Sequence, residues 1–266
     1  MTFHDLHHGD APLVLPNAWD VGSALAFIDA GFEAVGTTSF GVGATAGQPD
    51  GDRASKDSTV ALVHAIRGLP VYVTADIEDG YADDPDTVAG FVADLGAAGI
   101  NIEDSREGAL IDPERHAAKI AAINSRTPEV FVNARVDNYW FGEDATLAAV
   151  LERAATYIQA GADGIFIPFV PGALAPEDLA RITAELPVPL NILVPPDLTL
   201  DDLAELGIRR ISTGSLPYRA AVDAGVAVAT AVRDNQLPTP ATPYAVAQAL
   251  LEKYAPLLTS PLGSGG

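Results

Sequence analysis

Four segments of the chain share one layout: AGFEAVGTTSF (30–40), AAGINIEDS (97–105), AGADGIFIPFV (160–170) and LGIRRISTGS (206–215). Each follows an Ala/Leu-rich stretch of helical period. Each places a Gly where the helix must close, because glycine accepts the left-handed backbone there at no steric cost. Each then runs into β-branched residues suited to a strand buried on both faces. Apolar runs LVLPNA (13–18), VYVTADI (71–77), VFVNARV (130–136) and LNILV (190–194) lie between them. The sum is about eight strands, each followed by a helical pattern, at a spacing of roughly 25–35 residues. This predicts an α/β protein, a (β/α)8 TIM-type barrel. A doubly wound sheet competes, but the first turn, NAWDVGSA, is not the glycine-rich phosphate turn such a sheet favours.

Helix starts fit the same layout. Asp83-Asp84-Pro85, Asp112-Pro113-Glu114 and Pro176-Glu177-Asp178 put acids and proline at first turns. The barrel is expected over residues 1–235. Residues 236–266 are expected to add a proline-rich linker (QLPTPATP), a C-terminal amphipathic helix and the tail SPLGSGG to the same domain.

Composition narrows the function. Fifteen Lys+Arg against 36 Asp+Glu give a formal charge of −21, the wrong sign for a nucleic-acid footprint. The absence of Cys removes disulfides, thiolate metal sites and a cysteine nucleophile. No apolar stretch reaches the roughly 18 residues of a membrane span, and the N-terminus does not read as a signal peptide. A cytoplasmic protein is expected, with no nucleic-acid or membrane partner.

The chemistry of such a barrel sits where its strands end. There the sequence places Asp76 and Glu78 after the third strand. Glu103 and Asp104 follow the fourth, Arg135 and Asp137 the fifth, and Thr38 and Ser39 the second. Asp50 lies in the glycine-rich loop that follows, and Asn191 is a polar residue inside the seventh apolar run. Carboxylates converging on one mouth repel each other unless some stay protonated or a cation joins them. Oxygen donors without Cys or a strand-end His point to Mg²⁺, with Mn²⁺ as the substitute. The planar fork of Arg135 suits a substrate carboxylate. Turn chemistry alone accounts for Asp79, beside Gly80. Asp104 has an equally plain reading as a loop cap, and Arg135 as a structural ion pair with Glu103. Trp19 reads as core or pocket wall. His4, His7, His8, His64 and His116 fall in the N-terminal tail or in helices and read as non-catalytic.

TADIEDGY, GINIEDS, NARVDNY, GADGIFIP, PLNILV, PNAWDVGSA and GATAGQPDG, in their order along residues 10 to 235, resemble the isocitrate lyase/phosphoenolpyruvate mutase superfamily. The resemblance implies a barrel whose eighth helix is exchanged between subunits of a homodimer or homotetramer. It implies Asp76 as direct Mg²⁺ ligand, with Glu78, Glu103 and Asp50 holding the ion mostly through water. It implies Arg135, Thr38, Ser39 and Phe40 as substrate contacts, and a small 2-oxo acid as substrate. The family's chemistry runs through an enolate of pyruvate type held at the metal. The loop after the fourth strand departs from the pattern. It reads SREGALIDPERH, without the Lys-Cys-Gly-His segment of the cysteine-dependent lyases. The Lys and Asn of the mutase branch are also missing there, and the sixth strand ends in Pro168 rather than near a His. The reaction that survives is carbon–carbon cleavage of an oxaloacetate- or oxoglutarate-like acid. Glu103, or a water on the metal, would act as base toward a substrate hydroxyl, and water, Tyr81 or Tyr139 as proton donor to the enolate. Phosphonopyruvate or acyl hydrolysis, mutase-type P–C chemistry and non-catalytic binding of a 2-oxo acid are the alternatives.

Overall fold

The computed structural model describes residues 1–258; the expected SPLGSGG tail lies outside the described residues. Eight parallel strands close into a barrel. They are β1 (Leu13–Leu15, continued as Asn17–Ala18), β2 (Ala34–Thr37), β3 (Tyr72–Asp76), β4 (Gly99–Glu103), β5 (Phe131–Arg135), β6 (Gly164–Phe166), β7 (Leu190–Leu193) and β8 (Arg210–Ser212). Pro16 splits the first strand. Its first half pairs with β8 (Leu13 opposite Arg210) and its second half with β2 (Asn17 opposite Gly36), which closes the ring. The (β/α)8 expectation holds, strand by strand.

Helix starts follow the chemistry of their sequences. Asp84 and Asp112 cap the helices Pro85–Leu95 and Pro113–Arg126, accepting from the Thr87 and Arg115 N–H groups. Proline follows each cap, where its missing N–H costs nothing. Asp20 and Ser23 form a reciprocal capping box at Val21–Asp29. The main apolar core lies between strands and helices, with Leu25, Ile66, Ile100, Ile102, Ile120 and Ile192 fully buried. Each such side chain contributes about 1.5–3 kcal/mol by leaving water.

The inside of the barrel is layered. A small apolar cluster of Phe3, Leu15, Ala34 and Phe131 plugs the bottom, and His7 stacks on Phe131 at 3.9 Å. Gly99 makes the plug possible: a Cβ there would lie 2.6 Å from the Phe3 ring. Above it sits a polar layer. Asn101 Oδ1 accepts from Asn133 (2.9 Å) and from Arg210 Nη2 (3.0 Å), and Asn191 donates to Ser212 Oγ (3.1 Å). Arg210 is fully buried, makes no ion pair among the described residues, and leaves Nη1 without a hydrogen bond. Burial pulls its pKa down to about 9, against the attraction of Asp76. The candidate site opens above this layer.

The helix Leu216–Arg233 follows β8 but buries none of its residues, and Val222, Val226 and Val232 lie open. A non-helical stretch, residues 234–243, leads to a last helix, Tyr244–Tyr254, whose Tyr254 is buried. No helix among the described residues is long and apolar enough to cross a membrane.

His116 lies fully buried on Pro113–Arg126, edge-on to Tyr157 at 4.7 Å, with neither ring nitrogen hydrogen-bonded. Burial, with Lys119 and Arg153 nearby, lowers its pKa from 6.5 to about 3. The unfolded chain therefore takes up a proton near pH 6.5 that the folded chain refuses until about pH 3. Stability contributed this way is present above pH 6.5 and drains as pH falls. At pH 5 the loss is about 2 kcal/mol for this one residue. We expect His116→Leu to abolish that share: between pH 7.5 and 5, urea unfolding should show the parent losing about 2 kcal/mol more than the variant. The carboxylates are common to both proteins and cancel in the difference. Equal losses would contradict the assignment.

Candidate active site

A cavity of about 960 Å³ opens at the C-terminal ends of the strands. Asp50, Asp76, Glu78, Glu103, Arg135 and the Thr38–Phe40 segment all line it, as the strand-end pattern predicts. None of the five histidines does.

Asp76 ends β3. Its Oδ2 accepts the Ser39 N–H (3.1 Å) at the start of the helix Ser39–Thr45, which Thr38 caps through Gly41. Its own N–H donates to Thr37 Oγ1 (2.9 Å). Its Oδ1 is buried and has no partner. Burial pushes Asp76 above the usual carboxylate range, while the Arg135 charge and the Ser39 N–H pull it back.

Arg135 ends β5 between two carboxylates. Nη1 bonds Glu103 Oε1, and Nε donates to Asp137 Oδ1 (2.5 Å). The Trp140 and Phe166 rings flank the guanidinium at 5.6 and 5.7 Å. Burial works against its charge, but Asp137, Glu103 and Asp76 outweigh that and keep it protonated. Burial holds Glu103 well above the carboxylate range. Arg135 opposes this, and Asp137, Asp76 and Asp50 reinforce it. Glu103 can therefore carry a proton at a pH where an exposed glutamate cannot.

Asp104 does not enter the cavity. Buried behind it, the carboxylate accepts from Arg153 Nε (2.7 Å), Tyr157 OH (2.7 Å) and the Asp137 N–H (2.9 Å). Asp137 in turn holds Arg135 and accepts from Ser105 Oγ. The Arg135–Glu103 ion pair is present as its plain reading has it, whereas Asp104 caps no helix; it holds Asp137 and Arg153, and so orients Arg135 from behind.

Glu78 and Asp79 fasten the loop that follows the second strand. Glu78 accepts from the Arg53 N–H (2.7 Å), the Ser55 N–H (3.2 Å) and Ser55 Oγ (2.6 Å). Asp79 takes Arg53 bidentately (2.8 and 2.6 Å), and Lys119 Nζ reaches its carbonyl (2.7 Å). Asp79 is more than a turn residue. Gly80 permits this bend, with φ +93°, where a Cβ would lie 2.7 Å from Val88.

Three expected residues, Tyr81, Tyr139 and Asn191, stand outside the cavity lining. Tyr81 does not line the cavity: its hydroxyl meets Ser55 Oγ at 2.8 Å, its ring packs against Phe91, and burial raises its pKa far above that of a free phenol. It braces Ser55, and so Glu78, from behind. Asn191 lies one layer too deep and reaches the cavity only through Ser212. Conversely, Asn17, Asn101, Ser212 and Arg53 line the cavity although the sequence pattern gives them no role there, and Arg106, from the SREGALIDPERH loop whose contact with the site the sequence leaves open, lines it too. The first three carry a readable signal, a polar residue inside an apolar strand. The two arginines lie in loops and carry none.

The donor set fits a hard cation in one form. Among the described residues no three acidic or histidine side chains gather closely enough to enclose an ion. An ion held by one carboxylate, with water filling the other positions, needs no such group, and Mg²⁺ favours that arrangement. The partnerless Asp76 Oδ1 is the oxygen that could take such an ion, and Asp50, Glu78 and Glu103 share its cavity.

Fold and site together define an α/β barrel with an acid-rich, small-molecule-sized cavity at its strand ends. The chain matches the phosphoenolpyruvate phosphomutase family over residues 3–233 and belongs to it, within the isocitrate lyase/phosphoenolpyruvate mutase superfamily. An uncharacterised protein of Mycobacterium tuberculosis is 53% identical over 254 residues, 96% of this chain and 97% of that one. A putative phosphonomutase from Burkholderia cenocepacia is 37% identical, with TM-score 0.79 over 86% of this chain and 97% of that one. A 2,3-dimethylmalate lyase from Eubacterium barkeri is 31% identical over 66% of this chain and 64% of that one.

Proposed function

We propose that the protein is a Mg²⁺-dependent carbon–carbon lyase acting on a small 2-oxo acid of oxaloacetate or oxoglutarate type. One observation carries this reading: the partnerless Asp76 Oδ1 shares a cavity with a fixed Arg135 and with Glu103, an acid held above its usual pKa. The 2,3-dimethylmalate lyase relative supports the reaction class.

The residues divide the work. Arg135 spends Nη1 and Nε on Glu103 and Asp137, which leaves Nη2 for the substrate carboxylate. The Asp137–Asp104–Arg153 chain fixes that guanidinium, so little orientation entropy remains to be lost on binding. Trp140 and Phe166 keep one side of the site apolar. Asp76 would hold Mg²⁺, whose positive charge would favour formation of an enolate. In an oxaloacetate-type substrate the C3–C4 bond breaks, its electron pair stays on C3, and C4 leaves as CO₂. Glu103 then delivers its proton to C3, giving pyruvate, and regains one from water. For a 2-hydroxy acid the deprotonated form of Glu103 would take the hydroxyl proton.

The test follows pyruvate and CO₂ release from oxaloacetate, and binding of 2-oxoglutarate, with Mg²⁺ and with EDTA. Metal-dependent turnover is expected, and Glu103→Gln should lower kcat by about 100-fold or more while oxalate, a two-carbon mimic of the enolate, still binds. Failure of every 2-oxo acid to bind or turn over would overturn the proposal.

We also propose that a second copy of the chain covers the helix Leu216–Arg233. That helix is apolar nearly all round yet buries nothing, and such helices are made for burial. Light scattering should find a dimer or a larger even assembly, and Val226→Lys with Val232→Lys should shift it toward monomer. A monomeric parent protein at micromolar concentration would contradict this.

A further inference from the structure

Seven acidic and three basic side chains line the cavity, so an anionic substrate depends on where the three cations stand. Arg135 serves the deep end. The other two, Arg53 and Arg106, converge at the mouth on one carboxylate oxygen: Arg53 Nη2 lies 2.5 Å and Arg106 Nη1 2.6 Å from Asp83 Oδ1. Asp83 belongs to neither wall. It precedes the helix Pro85–Leu95 and is 64% exposed.

We propose that Arg53 and Arg106 form a subsite for the distal carboxylate of a dicarboxylic substrate, and that Asp83 occupies it in the empty protein. The proposal rests on the 2-oxo acid reading of the deep end and assigns the residues that would hold the far carboxylate of a diacid longer than oxaloacetate, whose own C4 carboxylate is the group lost.

The protein itself displays the required geometry, since a carboxylate already sits between the two guanidinium groups. An ion pair this exposed contributes little to stability, so a substrate carboxylate can displace Asp83 at small cost. Arg53 is already anchored: its Nε and Nη2 grip Asp79, and its N–H donates to Glu78. Arg106 is the adjustable partner, half-exposed on the hairpin formed by Ser105–Arg106 and Ala109–Leu110.

A second observation points the same way. Asp52, Arg53 and Glu107 all have left-handed backbone, with φ of 54°, 61° and 53°. Non-glycine residues tolerate this poorly, and chains tend to keep such strain where it positions a functional group. Here it flanks both guanidinium-bearing residues. The cavity is also at the upper end of the roughly 300–1,000 Å³ usual for small-molecule sites, leaving room between its two ends.

The experiment measures Kd by calorimetry, in Mg²⁺, for oxalate and for unbranched 2-oxo diacids of increasing length. The proteins are the wild type, Arg106→Gln and Asp83→Asn. Oxalate reaches only the deep end, so its affinity should be the same in all three. The best diacid should weaken by about tenfold in Arg106→Gln, the loss of one charge-assisted contact. It should tighten in Asp83→Asn, where the internal competitor is gone. Oxalate binding with diacid affinity indifferent to both substitutions overturns the subsite and leaves the deep-end reading intact. Parallel loss of oxalate and diacid in Arg106→Gln also overturns it, showing that the arginine merely holds the loop. No oxalate binding by the wild type overturns the 2-oxo acid reading and the subsite with it.

Discussion

Arg135 held between Glu103 and Asp137 is the interaction on which the mouth of the barrel depends. Three consecutive strands deliver carboxylates to one small volume, and without a cation among them those groups could not remain ionised together. The guanidinium is delivered by the next strand in the ring, opposite Glu103 in the β4–β5 register. Its partners differ in kind. Asp137 is locked from behind by the Asp104 carboxylate, and acts as a fixed counter-ion. Glu103 faces the cavity with its pKa raised, and is free to change protonation. One arginine thus joins an acid buried behind the site to one that lines it.

The second constraint is the fastening of loops to strand ends. Glu78 and Asp79 spend their acceptors on Arg53 and Ser55 rather than on the cavity centre. A loop that would otherwise move is tied to the end of β3, two residues from Asp76. Tyr81 extends the tie inward through Ser55. The acids at the end of the third strand therefore do three things: Asp76 keeps one oxygen without a partner, Glu78 shapes the wall, and Asp79 anchors the arginine of the rim. Below them, Arg210 brings an unpaired positive charge into the barrel interior, held by Asn101 and Ser212 from the cavity floor.

Much of this was legible in the sequence because barrel geometry is periodic. The Gly-to-strand junctions place eight strands, and the strand ends then place Asp76, Glu103 and Arg135 at one depth. The errors arose where periodicity stops. Tyr81 follows a strand by five residues, but left-handed backbone at Glu78, Gly80 and Tyr81 turns the chain, and extended-chain counting no longer says where a side chain lies. Asn191 shows its polar type in the sequence but not its depth within the strand, which places it below the cavity. Arg53 and Arg106 come from loops separated by 53 positions in sequence and meet only through Asp83, a pairing that no local pattern encodes.

The central claim is that Asp76 Oδ1 is the protein's one direct ligand for a divalent cation. Electron paramagnetic resonance of Mn²⁺ titrated into the wild type and Asp76→Asn, both with saturating oxalate, tests it without recourse to activity. Loss of even outer partners weakens metal sites by about 10–100-fold, so Asp76→Asn should weaken Mn²⁺ by about 100-fold or more while the fold stays intact by circular dichroism. Equal Mn²⁺ affinity in the two proteins would place the cation elsewhere and contradict the account.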